Sequence, residues 1–247
     1  MEEKNNLRKI EETIRSLPDD FNILEEQIDV EVQMKYFEFT RDPKNSVPVP
    51  DVGLAEQILS DPSVELDTKQ KLLVQLAGLD QVEAFRLIER FHKEAKGFLR
   101  SWSVLALQES RMILQSSLLG EQQVFVSTGL GGKGQQIRYF VVLLHQPKNE
   151  AFSKSQEKII QNEFDFFLHN DNGQMEELTF DPEGFAFGTF LFPLKNDLQR
   201  IFHSFIEECN QYGGFLQENV ILTNVKKLSL QEIKEFIINE KHDDKKN

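Results

Sequence analysis

Residues 123–146 read QVFVSTGLGGKGQQIRYFVVLLHQ, and this stretch decides the fold of the second half of the chain. Its flanks, QVFVSTGL and IRYFVVLLHQ, are rich in valine and phenylalanine, which favour β-strands. The segment GGKGQQ between them has the composition of a turn. We therefore predict two strands joined by a long glycine-rich turn.

Downstream of this stretch, helical and strand patterns alternate. Apolar residues recur at helical spacing in Ser153–Leu168 and Asn196–Tyr212, which are predicted helices. The segments MEELTF and GFAFGTFLFPL are a predicted strand pair around the turn DPEG, and ENVILTNVKKL is a last predicted strand. Ser229 and Glu232 have capping-box spacing at the start of a terminal helix. The predicted order β-β-α-β-β-α-β-α contains a βαββαβ unit with one extra strand in front. It resembles the ferredoxin-like fold, in which helices cover one face of an antiparallel sheet.

Upstream of about residue 120, apolar residues recur mainly at helical spacing. The predicted helices cover Glu2–Leu17, Leu54–Leu59, a stretch capped by Asp67 or Thr68, Val82–Ala95 and Phe98–Leu118. Residues 21–39 fit a strand by alternation and a helix by an i, i+4 row, so the sequence leaves this element undecided. The segment RDPKNSVPVPDVG contains three prolines and is predicted to be a loop.

Part of this helical half carries features of a repeat. The segment SDPSVELDTKQKLLVQLAGLDQVEAFRLIERFHKEAKGFLRSWSVLALQES has an Asp-Pro before a helix pair and a Leu-x-x-Leu-Ala run. Over about residues 54–119 the chain resembles HEAT-type helical repeats, although it contains only about one and a half repeats where such arrays usually have three or more. The resemblance implies a protein-binding scaffold and supplies no catalytic residues.

The predicted fold class is therefore α+β, in two interdependent parts. A helical, HEAT-like region is expected at residues 1–120 and a ferredoxin-like domain with an extra N-terminal strand at 121–241. Residues 242–247, with the sequence HDDKKN, are expected to form a charged, disordered tail.

Composition limits the classes of function. The 247 residues include 28 Lys+Arg and 41 Asp+Glu, a net charge of −13 that disfavours nucleic acid and anionic membranes as partners. There is no apolar run long enough to span a bilayer and no secretory signal at the N-terminus. The lone Cys209 excludes an internal disulfide and fits a reducing compartment. We expect a cytoplasmic protein with no DNA or membrane partner.

The glycine-rich turn is the first candidate binding element. Its candidate contact residues are four glycines and two cations: Gly129, Gly131, Gly132, Gly134, Lys133 and Arg138. Bare glycine N–H groups can bind an anion, but phosphate loops of this kind run into a helix N-terminus, and this one runs into a predicted strand. A hairpin tip is therefore the favoured interpretation, and a protein or RNA contact at the tip stays open.

The second candidate is the strand Gly184–Phe190, GFAFGTF. It resembles the RNP1 strand of RNA-recognition motifs at five of eight positions. The resemblance implies that Phe185 and Phe187 stack on RNA bases. However, Glu183 stands at the basic position and Gly188 at the valine position, and the net charge opposes RNA binding. A core strand is favoured.

Catalytic and metal-binding patterns are weak. Glu163, Asp165 and His169 lie on one predicted helix without a second ligand cluster, so no metal or cofactor is expected. HExxH, CxxC and GxSxG motifs are absent. The neighbouring Glu207 and Glu208 should raise the pKa of Cys209 and lower its reactivity.

These observations favour a non-catalytic cytoplasmic adaptor or regulatory module that binds another protein. RNA- or ribosome-associated binding through Gly184–Phe190 is the first alternative. A small-ligand or enzymatic site between the two halves, with polar groups such as His145 or Arg138, is the second. The sequence does not name the partner or the oligomeric state.

Overall fold

The computed structural model describes residues 21–42, 51–121, 123–146 and 150–243. These residues form a mixed α+β protein with eight helices and an antiparallel sheet. The predicted helix Glu2–Leu17, most of the predicted proline-rich loop and residues 244–247 of the predicted tail lie outside this part of the chain. The chain divides into two compact units, Met1–Gly134 and Gln135–Asn247.

The first unit is mainly helical. Its helices are α1 (Val30–Arg41), α2 (Val52–Ser60), α3 (Leu66–Ala77), α4 (Val82–Glu94) and α5 (Gly97–Leu119). Its strands are the short segments β1 (Asn22–Ile23), β2 (Phe125–Val126) and β3 (Gly132–Lys133). The helices predicted from apolar spacing between residues 54 and 118 are thus confirmed within a few residues.

The segment that the sequence left undecided is a helix from Val30 onward. The side chain of Asp29 accepts a hydrogen bond from the backbone N–H of Glu31 at 2.7 Å, which caps the first turn. Tyr36, a member of the i, i+4 row, lies in the core with 1% of its surface exposed, and Ile28, just before the helix, is 3% exposed. Burial of this row favours the helix over an alternating strand.

The core of the first unit is built around Trp102. Its ring packs edge-on against Tyr36 at 5.1 Å and against Phe39 at 5.7 Å. Its indole N–H donates to the carbonyl of Gln70 at 3.1 Å. Because the ring is 1% exposed, Trp102 is a core residue and not a surface anchor.

The predicted pairing of residues 123–130 with 137–146 is wrong. β2 pairs instead with β1, in parallel, so that Asn22 lies opposite Phe125. The buried Gln33 side chain explains the change, because it donates to the carbonyl of Thr128 at 3.1 Å and accepts from the hydroxyl of Ser127. These hydrogen bonds hold the residues after β2 against α1. Those residues therefore do not form a strand of the predicted hairpin.

The second unit contains a sheet and three helices. Its elements are β4 (Gln136–His145), α6 (Lys154–Asn170), β5 (Gln174–Asp181), β6 (Phe185–Pro193), α7 (Leu198–Asn210), β7 (Leu216–Thr223) and α8 (Leu230–Asp243). The four strands lie in the order β7-β4-β6-β5, and each neighbouring pair is antiparallel. Among the described strands of the second unit, β7 and β5 therefore form the edges. Residues 242 and 243, which the sequence analysis assigned to the tail, belong to α8.

One face of this sheet is covered by α6 and α7. Phenylalanines dominate the contact: Phe164 of α6 stacks on Phe205 of α7 with 4.1 Å between ring centroids, and lies 4.6 Å from Phe190 of β6.

The predicted capping box before α8 is confirmed. The N–H of Ser229 donates to the Glu232 carboxylate at 2.8 Å, and the N–H of Glu232 donates to the Ser229 hydroxyl at 3.3 Å.

Candidate functional site

The candidate site is a groove in the second unit, along β7, with a volume of about 870 Å³. We call it the β7 groove. Its lining residues are Leu198, Gln199, Phe202 and His203 of α7, Glu218, Asn219, Val220, Ile221 and Leu222 of β7, and Phe236 of α8. Five consecutive strand residues thus form one wall, so the groove follows the strand.

The strand wall is the edge of the sheet. β7 pairs with β4 from Val220 opposite Leu143 to Thr223 opposite Phe140, and no second strand among the described residues pairs with its other side. In an antiparallel pair, alternate residues point their N–H and C=O groups away from the partner strand. The outer side of β7 therefore presents backbone donors and acceptors at the groove.

A bulge limits the regular part of this edge. The register shifts between Leu143 and His145 of β4, so residues 217–219 are out of step with β4. The Gln217 side chain donates to the carbonyl of His145 at 2.8 Å and fixes the bulge. Regular strand geometry then runs from Val220 to Thr223.

The helical walls combine buried and exposed apolar groups. Leu198 and Phe202 point toward the sheet and are 9% and 1% exposed, so they form a fixed floor. Phe236 of α8 is 44% exposed. Its ring is the apolar surface most open to a bound molecule among the described lining residues of the groove.

The charges at the groove are acidic. Glu218 is exposed on β7, and the lining residues include neither lysine nor arginine. On α7, the imidazole of His203 lies 3.4 Å from the carboxylate of Glu207. A positively charged ligand therefore matches this groove better than an anion.

Among the described residues, no group of three or more His, Cys, Asp or Glu side chains is placed to hold a metal ion. Cys209 of α7 is fully buried, and burial, followed by the charges of Glu163 and Glu208, raises its pKa to about 12. The predicted direction is confirmed, but burial is its main cause.

The glycine-rich turn is packed into the first unit. Gly129, Gly131 and Gly132 are buried, and Lys133 and Gly134 are exposed. The N–H of Gly134 donates at 3.2 Å to the carboxylate of Glu25, so an acidic side chain of the same chain occupies the position proposed for an anion. A partner can reach only Lys133 and Gly134 of this set.

Arg138, the other predicted cation, belongs to the second unit. It lies on β4, where its guanidinium binds the carboxylate of Glu176 on β5, with one N–O distance of 2.7 Å. Its side chain is 13% exposed. The charge of Arg138 is therefore neutralised within the sheet.

The RNP1-like strand is β6, and its two candidate aromatics share the sheet face opposite the α6 and α7 helices. Phe185 is buried, with 7% exposure, while Phe187 is partly buried and lies 5.9 Å from the ring of Phe140. Glu183, at the motif's basic position, pairs with Lys234 at 2.6 Å. The ring of His145 is also buried and packs edge-on against Phe152 at 4.6 Å.

A smaller cavity of about 290 Å³ lies in the first unit, between residues 22–26 and α5. Glu26 at its rim lies 3.5 Å from Arg100 and 3.6 Å from His92. Burial, followed by the charge of Arg100, lowers the pKa of His92, whose ring also contacts the Ser103 hydroxyl at 3.0 Å. Ser103 is itself buried and donates to the carbonyl of Arg100, so its hydroxyl is not presented to the cavity as a nucleophile.

No protein-family model matches the chain, and no curated protein matches it significantly in sequence. Among the described residues, no helix has the length and apolar character needed to cross a membrane.

None of the residues that line the β7 groove was predicted as a binding residue from the sequence. The signal that the sequence offered was the apolar triplet Phe236-Ile237-Ile238 in the middle of α8, since a solvent-exposed helix needs fewer apolar residues. The open edge of β7 depends on strand order, which local patterns do not encode.

Proposed function

We propose that this protein is a non-catalytic protein-binding module and that its partner binds in the β7 groove. The observation that carries the proposal is the combination of an open strand edge, an exposed aromatic ring at Phe236 and an acidic residue, Glu218, in one groove. Protein interfaces characteristically place an aromatic anchor beside polar groups.

The architecture we propose is consistent with this role. The strand order β7-β4-β6-β5, with every neighbouring pair antiparallel and α6 and α7 on one face, supports a ferredoxin-like arrangement of the second unit. The succession of α2 to α5 with short connections supports a HEAT-like arrangement of the first unit. Both assignments are fold-level analogies and leave the function to the site itself.

The proposal can be tested with a library of randomised twelve-residue peptides displayed on phage and selected on the immobilised full-length chain. We expect enriched peptides to bind the unmodified chain and to lose affinity for the Phe236→Ala variant, because this substitution removes the exposed ring from the groove. Truncation of an interface aromatic typically costs 2 kcal/mol or more, about thirtyfold in affinity.

The matched control is Phe166→Ala. Phe166 is 60% exposed on α6 and does not line the groove, so it tests whether any exposed phenylalanine acts as a sticky patch. Retention of affinity in Phe166→Ala and loss in Phe236→Ala would support the proposal. Equal behaviour of the two variants, or a selection without enriched peptides, would refute it.

A further inference from the structure

We infer that the partner contributes an extended, positively charged peptide segment, which pairs with the open edge of β7 as an additional strand. This inference rests on the proposed function and specifies the chemistry of its partner. It follows from three features of the β7 groove: the unpaired backbone of the edge, the placement of the apolar wall and the sign of the charge.

The backbone of β7 sets the first requirement. Any molecule that fills the groove covers residues 218–222, and with them the outward N–H and C=O groups of the strand. Buried backbone groups without partners destabilise a complex strongly. A helix has already used its own backbone groups internally, so it would leave those of β7 unpaired. An extended peptide supplies matching donors and acceptors and extends the sheet.

The regular part of the edge sets the length of the pairing. Val220–Thr223 keeps regular register with β4, and the bulge at residues 217–219 bends the strand before it. A bound strand therefore pairs over about four residues, and its remaining residues continue past the bulge toward Glu218.

The side chains set the pattern of the peptide. Val220 and Leu222 pack on the apolar core beneath α7, Phe202 lies in the floor of the groove, and Phe236 of α8 supplies an exposed ring among the lining residues. Since side chains of a strand alternate between faces, every second residue of the peptide enters this apolar space. The exposed carboxylate of Glu218, with no lysine or arginine among the lining residues, selects Lys or Arg at an intervening position.

The experiment compares two displayed peptide libraries of identical amino-acid composition, both containing apolar residues and lysine. One places the apolar residues at every second position, and the other places them at i, i+3, i+4 and i+7, as in an amphipathic helix. Selection on the full chain should enrich the alternating library. Preferential enrichment of the helical library would overturn the inference while leaving the proposed function intact.

A second measurement examines the backbone directly. Peptides enriched from either library are synthesised with single N-methyl groups, which remove one N–H donor at a time. We expect the affinity to fall by about tenfold at every second position, the equivalent of one lost hydrogen bond, and to change little at the positions between. A loss without a period of two would overturn strand pairing even if the peptides bind in the groove.

Charge selection has its own control. In Glu218→Gln, affinity for a lysine-containing peptide should fall about two- to fivefold, and affinity for its glutamine analogue should not change. Equal effects on both peptides would contradict the assigned charge preference. If neither library is enriched, the proposed function and this inference fail together.

Discussion

Gly131 provides the sharpest test of the packing of the first unit. Its φ angle is 67°, in the left-handed region, and a Cβ atom there would lie 2.5 Å from the carbonyl oxygen of Glu25 and 2.8 Å from that of Glu26. Substitution by alanine therefore adds two costs: an unfavourable backbone conformation and a steric clash with backbone atoms that cannot rotate away.

Gly134, in the same loop, separates these two costs. Its φ angle is 58°, but a Cβ atom there would meet no other atom within 4 Å. A non-glycine residue in the left-handed region costs roughly 1–2 kcal/mol, and forcing extra volume into a packed site costs a further 1–3 kcal/mol or so. We expect Gly134→Ala to lose about 1–2 kcal/mol of unfolding free energy and Gly131→Ala about 2–5 kcal/mol.

Urea unfolding followed by tryptophan fluorescence measures this difference. Trp102 is the only tryptophan of the chain, lies in the first unit and is 1% exposed, so its emission reports on the core of that unit. For a slope of about 1–3 kcal/mol per molar urea, the midpoint of Gly131→Ala should lie about 1 M below that of Gly134→Ala. Equal midpoints would mean that the clash between the added Cβ atom and the Glu25 carbonyl costs no unfolding free energy, which would refute the prediction.

Three further predictions concern titratable groups. Burial raises the pKa of Glu109 above its ordinary value of 4.5, although a 2.5 Å hydrogen bond from Tyr36 acts in the opposite direction. The protonated form of Glu109 therefore stabilises the folded state, and this stabilisation is lost as the pH rises through the pKa of the folded protein. From about pH 5 to 7.5, the free energy of unfolding measured with urea should therefore fall less in Glu109→Gln than in the unmodified chain. An equal fall in the two proteins would contradict this. The hydrogen bond from Lys226 is the main cause that lowers the pKa of Glu232 to about 2. The Lys226→Met substitution should therefore raise the midpoint of the Glu232 titration followed by NMR. An unchanged midpoint would show that Lys226 is not the cause. Cys209 should react with a thiol reagent at about pH 8 only when the second unit unfolds, whereas native labelling at the rate of free cysteine would show that its thiol is accessible.

Local patterns predicted the helices well because each helix satisfies its own backbone and shows its buried face in the sequence. The helices Val82–Glu94 and Gly97–Leu119 begin and end within about one residue of their predicted bounds. The same logic failed for residues 123–130, because a strand needs a partner that the sequence does not name. Gln33, on a helix whose existence was undecided, holds the residues that follow Phe125–Val126 in place.

The predicted binding residues show why glycine is an ambiguous signal. A glycine can mark a place where the backbone needs room, and at two positions of the RNP1-like strand that room is filled by the chain itself. A Cβ on Gly184 would lie 2.5 Å from the carbonyl oxygen of Glu150, and one on Gly188 would lie 2.1 Å from that of Glu177. Close packing within the chain therefore explains two glycines of the RNP1-like pattern without any contact with RNA. The β7 groove has the opposite character, because its backbone is open at the edge and its strand, LQENVILT, contains no glycine. β7 is a candidate site because, among the described residues, no strand pairs with the side that faces away from β4. The strand order reveals this property, and local sequence patterns do not.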